Sequence, residues 1–247
     1  MPRAGSPLRV LLLAGTMEAR LLQERLGSRP GIDLITALAG ATDDPVTEAD
    51  RTGGFGGKDG LQDYLLQQVI DLVIDATHPF AAQITSNAFA ATQALGCGYL
   101  RLDRPAWTPV EGDQWITDPT RLSDFGACVL VTTGERGFWQ LERHDSQTYI
   151  VRSISASTRH LPFNVRWLVA RPPFSLASEI ALMSTRLIEV VVAKNSGGSG
   201  GYSKIEAARQ LSLPLLMFQR PAVSVDPVVV SISEALDWVD RFFGRRT

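Results

Sequence analysis

A strand rich in β-branched residues runs straight into Ala193-Lys194-Asn195-Ser196-Gly197-Gly198-Ser199-Gly200-Gly201-Tyr202-Ser203-Lys204. Glycines let a backbone approach a ligand closely, and successive N–H groups form a concave nest for an anion. Lys194 and Lys204 flank the loop and are two of only three lysines in the chain, the third being Lys58. The G-K-[ST] ending of a Walker A loop is absent. A flexible Gly/Ser linker has the same composition, but a strand before the loop and a helix after it argue for a phosphate-type loop. A second strand–turn–helix unit reads Val10-Leu11-Leu12-Leu13-Ala14-Gly15-Thr16-Met17-Glu18-Ala19-Arg20. It has the parts of a dinucleotide site without the full G-x-G-x-x-G, so an ordinary turn capped by Thr16 explains it equally well. The next strand ends Leu38-Ala39-Gly40-Ala41-Thr42, with Asp43 and Asp44 only beyond it. An acid at that strand end would bind a ribose 2′-hydroxyl; its absence favours a 2′-phosphate, hence NADP over NAD.

Three further segments offer chemistry to a substrate. Asp75-Ala76-Thr77-His78-Pro79-Phe80-Ala81 stands at the end of a buried strand, where open α/β sheets collect ligands. There Thr77 can cap the next helix and Pro79 fits its first turn, which leaves His78 as an imidazole to account for. Arg104-Pro105-Ala106-Trp107 offers a guanidinium for a carboxylate and an indole to cover a flat ligand, or serves as a packed connector. Thr132-Thr133-Gly134-Glu135-Arg136-Gly137 is another glycine turn with N–H groups to present. No G-x-S-x-G elbow exists, and Cys97 and Cys128 lack metal-site or disulfide-scaffold spacing. The three histidines, His78, His144 and His160, are too scattered for a metal site.

The elements that must position these groups alternate. Strands are expected at 8–14, 32–38, 72–74, 99–102, 127–132, 148–154, 165–170, 187–193, 215–218 and 228–230. Helices are expected at 17–26, 58–70, 79–95, 175–184, 202–210 and 233–243, the last with Ser233 as its N-cap. Residues 51–57 form a tight strand or loop. Strand–helix alternation argues for parallel sheets with helices on both faces. The stretch 103–118, rich in Pro and Trp, interrupts the series and reads as a crossover. The economical architecture is α/β: two Rossmann-like domains, 1–106 and 107–247, with parallel sheets flanked by helices and a ligand cleft between them.

Composition narrows the classes. The chain has 247 residues, 45% hydrophobic and 20% charged, with a formal net charge of −2. Disorder and a polytopic membrane protein are excluded, and no broad basic footprint for nucleic acid exists. Of 24 cationic residues 21 are arginine, a residue suited to bidentate carboxylate or phosphate contacts, although a GC-rich genome produces the same bias. No segment resembles a targeting signal or a membrane span, so the expectation is cytoplasmic.

Taken in order, Gly15-Thr16-x-Glu18-Ala19-Arg20, Gly53-Gly54-Phe55-Gly56-Gly57, the 75–81 segment, Arg104-Pro105-x-Trp107, Thr133-Gly134 and Lys194-Asn195-Ser196-Gly197-Gly198-x-Gly200 with Lys204 resemble the precorrin-6A reductase family of cobalamin biosynthesis. Ala14 departs from the pattern, where many relatives carry a second glycine. The resemblance implies NADPH as cofactor and a tetrapyrrole-derived macrocycle, precorrin-6A, as substrate. A hydride is delivered to a C=C bond, giving precorrin-6B. It assigns Gly15, Thr16, Glu18, Ala19, Thr77, Gly134, Lys194, Asn195, Ser196, Gly197, Gly198, Gly200 and Lys204 to the cofactor. His78, Arg104, Trp107 and Arg136 fall to the substrate, with His78 as the candidate catalytic group and no metal. Two other readings of the residues stay open: a non-catalytic NADP-sensing protein, and a cofactor-free tetrapyrrole-modifying enzyme.

Overall fold

The computed structural model describes residues 6–38 and 49–244. The strand end at Ala39–Thr42, with Asp43 and Asp44, lies outside the described residues. The polypeptide groups into two units, one running to Pro105 and resuming at Pro221, the other spanning Ala106–Arg220.

The first unit carries one parallel sheet built from β1 (Leu8–Ala14), β2 (Ile32–Leu38), β3 (Arg51–Thr52), β4 (Leu72–Asp75), β5 (Gly98–Leu102) and β12 (Val228–Val229). Its order is β12-β5-β4-β1-β2-β3. Both faces are covered. Val10 and Leu12 pack with α1 (Met17–Gly27) and α7 (Ile232–Gly244), whereas Leu11 and Leu13 meet α2 (Gly57–Gln67) and α3 (Ala82–Leu95). Burial on two faces explains why β1 reads as an apolar run from Val10 to Ala14.

The second unit contains β6 (Trp115–Ile116), β7 (Cys128–Val131), β8 (Thr148–Ser153), β9 (Val165–Val169), β10 (Val190–Lys194) and β11 (Leu215–Phe218). They form a second parallel sheet ordered β6-β11-β10-β7-β8-β9. One face packs against Phe138 of α4 (Gly134–Trp139). The other packs against Met183 of α5 (Leu176–Thr185) and Ile205 of α6 (Ser203–Gln210). The two parallel, helix-flanked sheets are those expected.

Several boundaries differ from the expectation. The terminal segment expected in the second domain belongs to the first unit, because β12 pairs with β5 and α7 buries Ala235, Leu236 and Val239 in the β1–β4–β5 core. The crossover at 103–118 contributes β6 as an edge strand on β11. Ser231, not Ser233, caps α7: its hydroxyl accepts the Glu234 N–H at 3.2 Å. Leu187, expected within a strand, is an exposed turn residue at φ +51°, so β10 starts at Val190.

Candidate functional site

Each sheet has one place where strand order reverses. In the first it lies between β1 and β4, in the second between β7 and β10. At such a point neighbouring connections leave to opposite faces and open a crevice at the carboxyl ends of the strands. Four of the five segments singled out for chemistry follow these four strands. Gly15–Ala19 and Asp75–Ala81 come after β1 and β4, Thr133–Arg136 and Lys194–Lys204 after β7 and β10.

In the first unit Gly15 has φ +141°, a conformation that side chains rarely adopt. Thr16 caps α1: its Oγ1 accepts the Ala19 N–H at 3.1 Å and donates to the Ala76 carbonyl at 2.9 Å, tying the two loops together. Ala19 is fully buried and its N–H is consumed by the cap. Glu18, in the first turn, forms an ion pair with Arg104. Arg104, expected to meet a substrate carboxylate, is therefore engaged by this chain's own carboxylate. A small cleft lined by Thr16, Glu18, Thr77, Pro79, Asp103 and Arg104 lies here.

Thr77 does not cap α3, which begins only at Ala82, past Pro79. Its hydroxyl donates to Asp75 Oδ1 at 2.7 Å and accepts from Arg101 Nη1 at 3.0 Å. Arg101 Nη1 donates to the same Asp75 oxygen at 2.7 Å, and Tyr99 Oη donates to the other at 3.2 Å. Asp75 is fully buried and Arg101 is 4% exposed. Burial, then the Asp75 charge, pushes the Tyr99 phenol far above its usual range, so it stays a neutral donor. Sequence reasoning missed this network. An Asp at a strand end paired with an Arg on the next strand was the available signal. The network holds the loop that carries His78, whose Nδ1 accepts the Phe80 N–H at 3.2 Å. An accepting Nδ1 places the neutral imidazole's proton on Nε2.

In the second unit Gly134, Gly197 and Gly198 have φ of +73°, +66° and +69°. Asn195 is 3% exposed and acts as a strut: its Oδ1 accepts the Trp107 N–H at 2.8 Å and its Nδ2 donates to the Trp107 carbonyl at 2.9 Å. Trp107, expected to cover a ligand, packs with the loop, its Nε1 donating to the Gly198 carbonyl at 2.8 Å. Lys204 also braces the loop. Its ammonium donates to the Gly201 carbonyl at 2.8 Å and lies 5.7 Å from the Trp107 ring centre. Arg220, absent from the sequence reading, donates to the Asn195 and Ser196 carbonyls at 2.9 and 3.0 Å. Ser196 closes a turn on Lys194 with a 2.7 Å backbone bond, and Gly200 is exposed at the tip. Burial, with Arg136 nearby, lowers the pKa of Lys194. The loop is thus a braced structure and not a linker.

Thiol chemistry has no support in this geometry. Burial and then Asp71 push the Cys97 thiol up to about 12, and burial raises Cys128 as well. In native protein at pH 8, Cys97 is expected to resist iodoacetamide and to react only after unfolding; mass spectrometry of tryptic peptides reads this directly.

These features define an α/β protein of Rossmann-like architecture, with a strand-order reversal and a glycine turn in each of two parallel-sheet units. The comparisons narrow the class. The family model described as "Precorrin-6x reductase CbiJ/CobK" matches residues 9–240. A precorrin-6A reductase of Rhodococcus erythropolis is 38% identical over 240 residues, covering 94% of this chain and 97% of its own length. One from Sinorhizobium sp is 40% identical, covering 93% and 91%. A solved structure titled "CobK precorrin-6A reductase" superposes with a TM-score of 0.85 at 33% identity, covering 95% of this chain and 96% of its own. The chain belongs to the precorrin-6x reductase family. Among the described residues, no helix is long and apolar enough to cross a membrane.

Proposed function

We propose that this chain reduces precorrin-6A to precorrin-6B with NADPH, in cobalamin biosynthesis. The observation that carries the reading is the coincidence of two things: similarity to reductases along nearly the whole chain, and a glycine turn at the strand-order reversal of both sheets. The choice of NADPH over NADH rests on the stretch Leu34–Thr42, which contains no Asp or Glu to hold a free ribose 2′-hydroxyl.

Bound NADPH supplies a hydride to a C=C bond, while a proton is added at the neighbouring carbon. The protein's part is to position two flat partners and exclude water. Gly15 leaves the β1 turn without a side chain, and Thr16 locks that turn to the β4 loop. Backbone N–H groups of the braced 194–201 loop suit an anionic part of the nucleotide. His78 stands on the loop that Asp75, Thr77 and Arg101 hold, and its imidazole is the group this reading assigns to proton delivery.

Anaerobic turnover with precorrin-6A, followed by loss of NADPH absorbance, tests the assignment. NADPH binding without oxidation identifies the sensor, and no NADPH binding at all identifies the cofactor-free enzyme. In single turnover His78→Ala is expected to slow reduction about 10²-fold. A wild-type rate removes His78 from the chemistry and leaves water as donor.

A further inference from the structure

The segment Gly53-Gly54-Phe55-Gly56-Gly57 has no part in the site described so far. It follows β3, the outermost strand of the first sheet, and so stands at the carboxyl ends of the strands, the edge where open α/β sheets take up ligands. β3 lies two strands from β1, about 10 Å across the sheet. Arg51, on β3, lays its guanidinium against the loop. The guanidinium carbon is 4.8 Å from the centre of the Phe55 ring and 5.1 Å from that of Tyr64 on α2, and Nη2 donates to the Gly54 carbonyl at 3.0 Å. Two rings and one hydrogen bond thus fix the position of a planar cation.

That cation lacks the partner which others in the chain have found. Arg101, Arg104, Arg152 and Arg209 each hold a carboxylate of this chain. Arg51 is also partly buried, yet among the described residues it holds none: its Nε is buried without an acceptor, and Nη1 has none either. Buried donors are nearly always paired, so this guanidinium calls for an acceptor. The glycine beside it is equally unexplained from within the chain. Gly53, Gly56 and Gly57 have φ of +96°, +82° and +89°, the region that favours glycine. Gly54 does not share it, and a Cβ built there would meet nothing within 4 Å. Neither conformation nor internal packing asks for a glycine at 54, whereas close approach of a ligand to the backbone does.

We propose that Arg51, with the open backbone at Gly54, binds a rim carboxylate of the tetrapyrrole substrate, at a subsite two strands away from β1. This rests on the reductase reading above. Precorrins carry acetate and propionate side chains around the ring. A carboxylate has two oxygens in one plane and matches a single planar guanidinium. Arg104, the cation expected to take such a group in the first unit, is already held by Glu18. A guanidinium fixed in advance between two rings and a carbonyl loses little freedom when the carboxylate arrives, which favours affinity.

The test uses the full-length protein under anaerobic conditions. It combines steady-state kinetics with precorrin-6A and NADPH, and equilibrium titration of precorrin-6A followed by its own absorbance. Arg51→Gln is expected to raise the KM and Kd for precorrin-6A about tenfold, with a much smaller change in kcat and a KM for NADPH that stays within about twofold. Arg51→Lys keeps the charge without the planar fork and is expected to recover only part of the loss. Gly54→Ala is expected to weaken precorrin-6A as well while leaving Tm unchanged, a split that a purely structural role does not produce. Circular dichroism confirms that each variant is folded, and Gly54→Ala decides alone if Arg51→Gln is not. Unchanged affinity for precorrin-6A in either folded variant overturns the proposal. So does a loss that falls on NADPH instead, which would give Arg51 to a phosphate of the cofactor. Should wild type bind precorrin-6A, and Arg51→Gln bind it more weakly, while neither oxidises NADPH, the carboxylate subsite stands and the reductase reading falls.

Discussion

Arg101→Met is expected to cost about 3–5 kcal/mol of stability, the usual loss when one member of a buried ion pair is removed. The reason is the Asp75 carboxylate, which is fully buried and accepts from Arg101, Thr77 and Tyr99. Without the guanidinium it must ionise in an apolar core beside a hydroxyl and a phenol, or take up a proton and lose the geometry that orders Thr77. Denaturant melts read the loss as a lower midpoint. The paired change Asp75→Leu with Arg101→Met removes both charges and is expected to cost much less than the sum of the single changes. Equal and additive costs would mean that the two side chains are not coupled. The single variant should also slow reduction, because the network sits directly beneath the segment that carries His78.

The second large effect is expected at Asn195. Its amide satisfies both the N–H and the carbonyl of Trp107, at 2.8 and 2.9 Å. Asn195→Leu keeps the branching and number of side-chain heavy atoms and leaves both backbone groups unpaired, at about 1–3 kcal/mol each where water is excluded. The loss is expected to reach the glycine loop as well, since Trp107 also holds the Gly198 carbonyl. Affinity for NADPH should fall together with stability, and tryptophan fluorescence should shift toward the red as the Trp107 indole becomes hydrated. Loss of stability with unchanged affinity would show that the clamp braces the fold without shaping the loop. Asn195→Asp keeps the acceptor and loses the donor, so it is expected to fall between wild type and the leucine variant.

Much of the fold was legible because its signals are local. β1 is apolar on both sides of its alternation and stops at Gly15, and α1 starts at a threonine whose hydroxyl can reach the amide three residues on. Both the elements and the cap stand as the sequence implies. The same local logic failed at α7, where Ser231 and Ser233 are both plausible caps and only the backbone turn selects Ser231. It is silent on the partners of side chains that looked ready for ligands. Arg104, Trp107, Asn195 and Lys204 have the residue types of a binding site, yet each is engaged by a partner within the chain: Glu18, the glycine loop or the Trp107 backbone. Residue type reports what a group can bind; the partner it finds depends on which strands become neighbours.

The sequence by itself determined the kinds of element, the glycine turns that end them and the parallel α/β class. Hydrophobic period, turn residues and caps act within a few residues and need no knowledge of the rest. Only the tertiary structure decided that β12 and α7 return to the first sheet, that Asp75 and Arg101 meet in its core, and that Trp107, Asn195 and Arg220 brace the loop after β10. Those are pairings across many residues, set by strand order and by the need of buried charges and carbonyls for partners, and no local pattern encodes strand order.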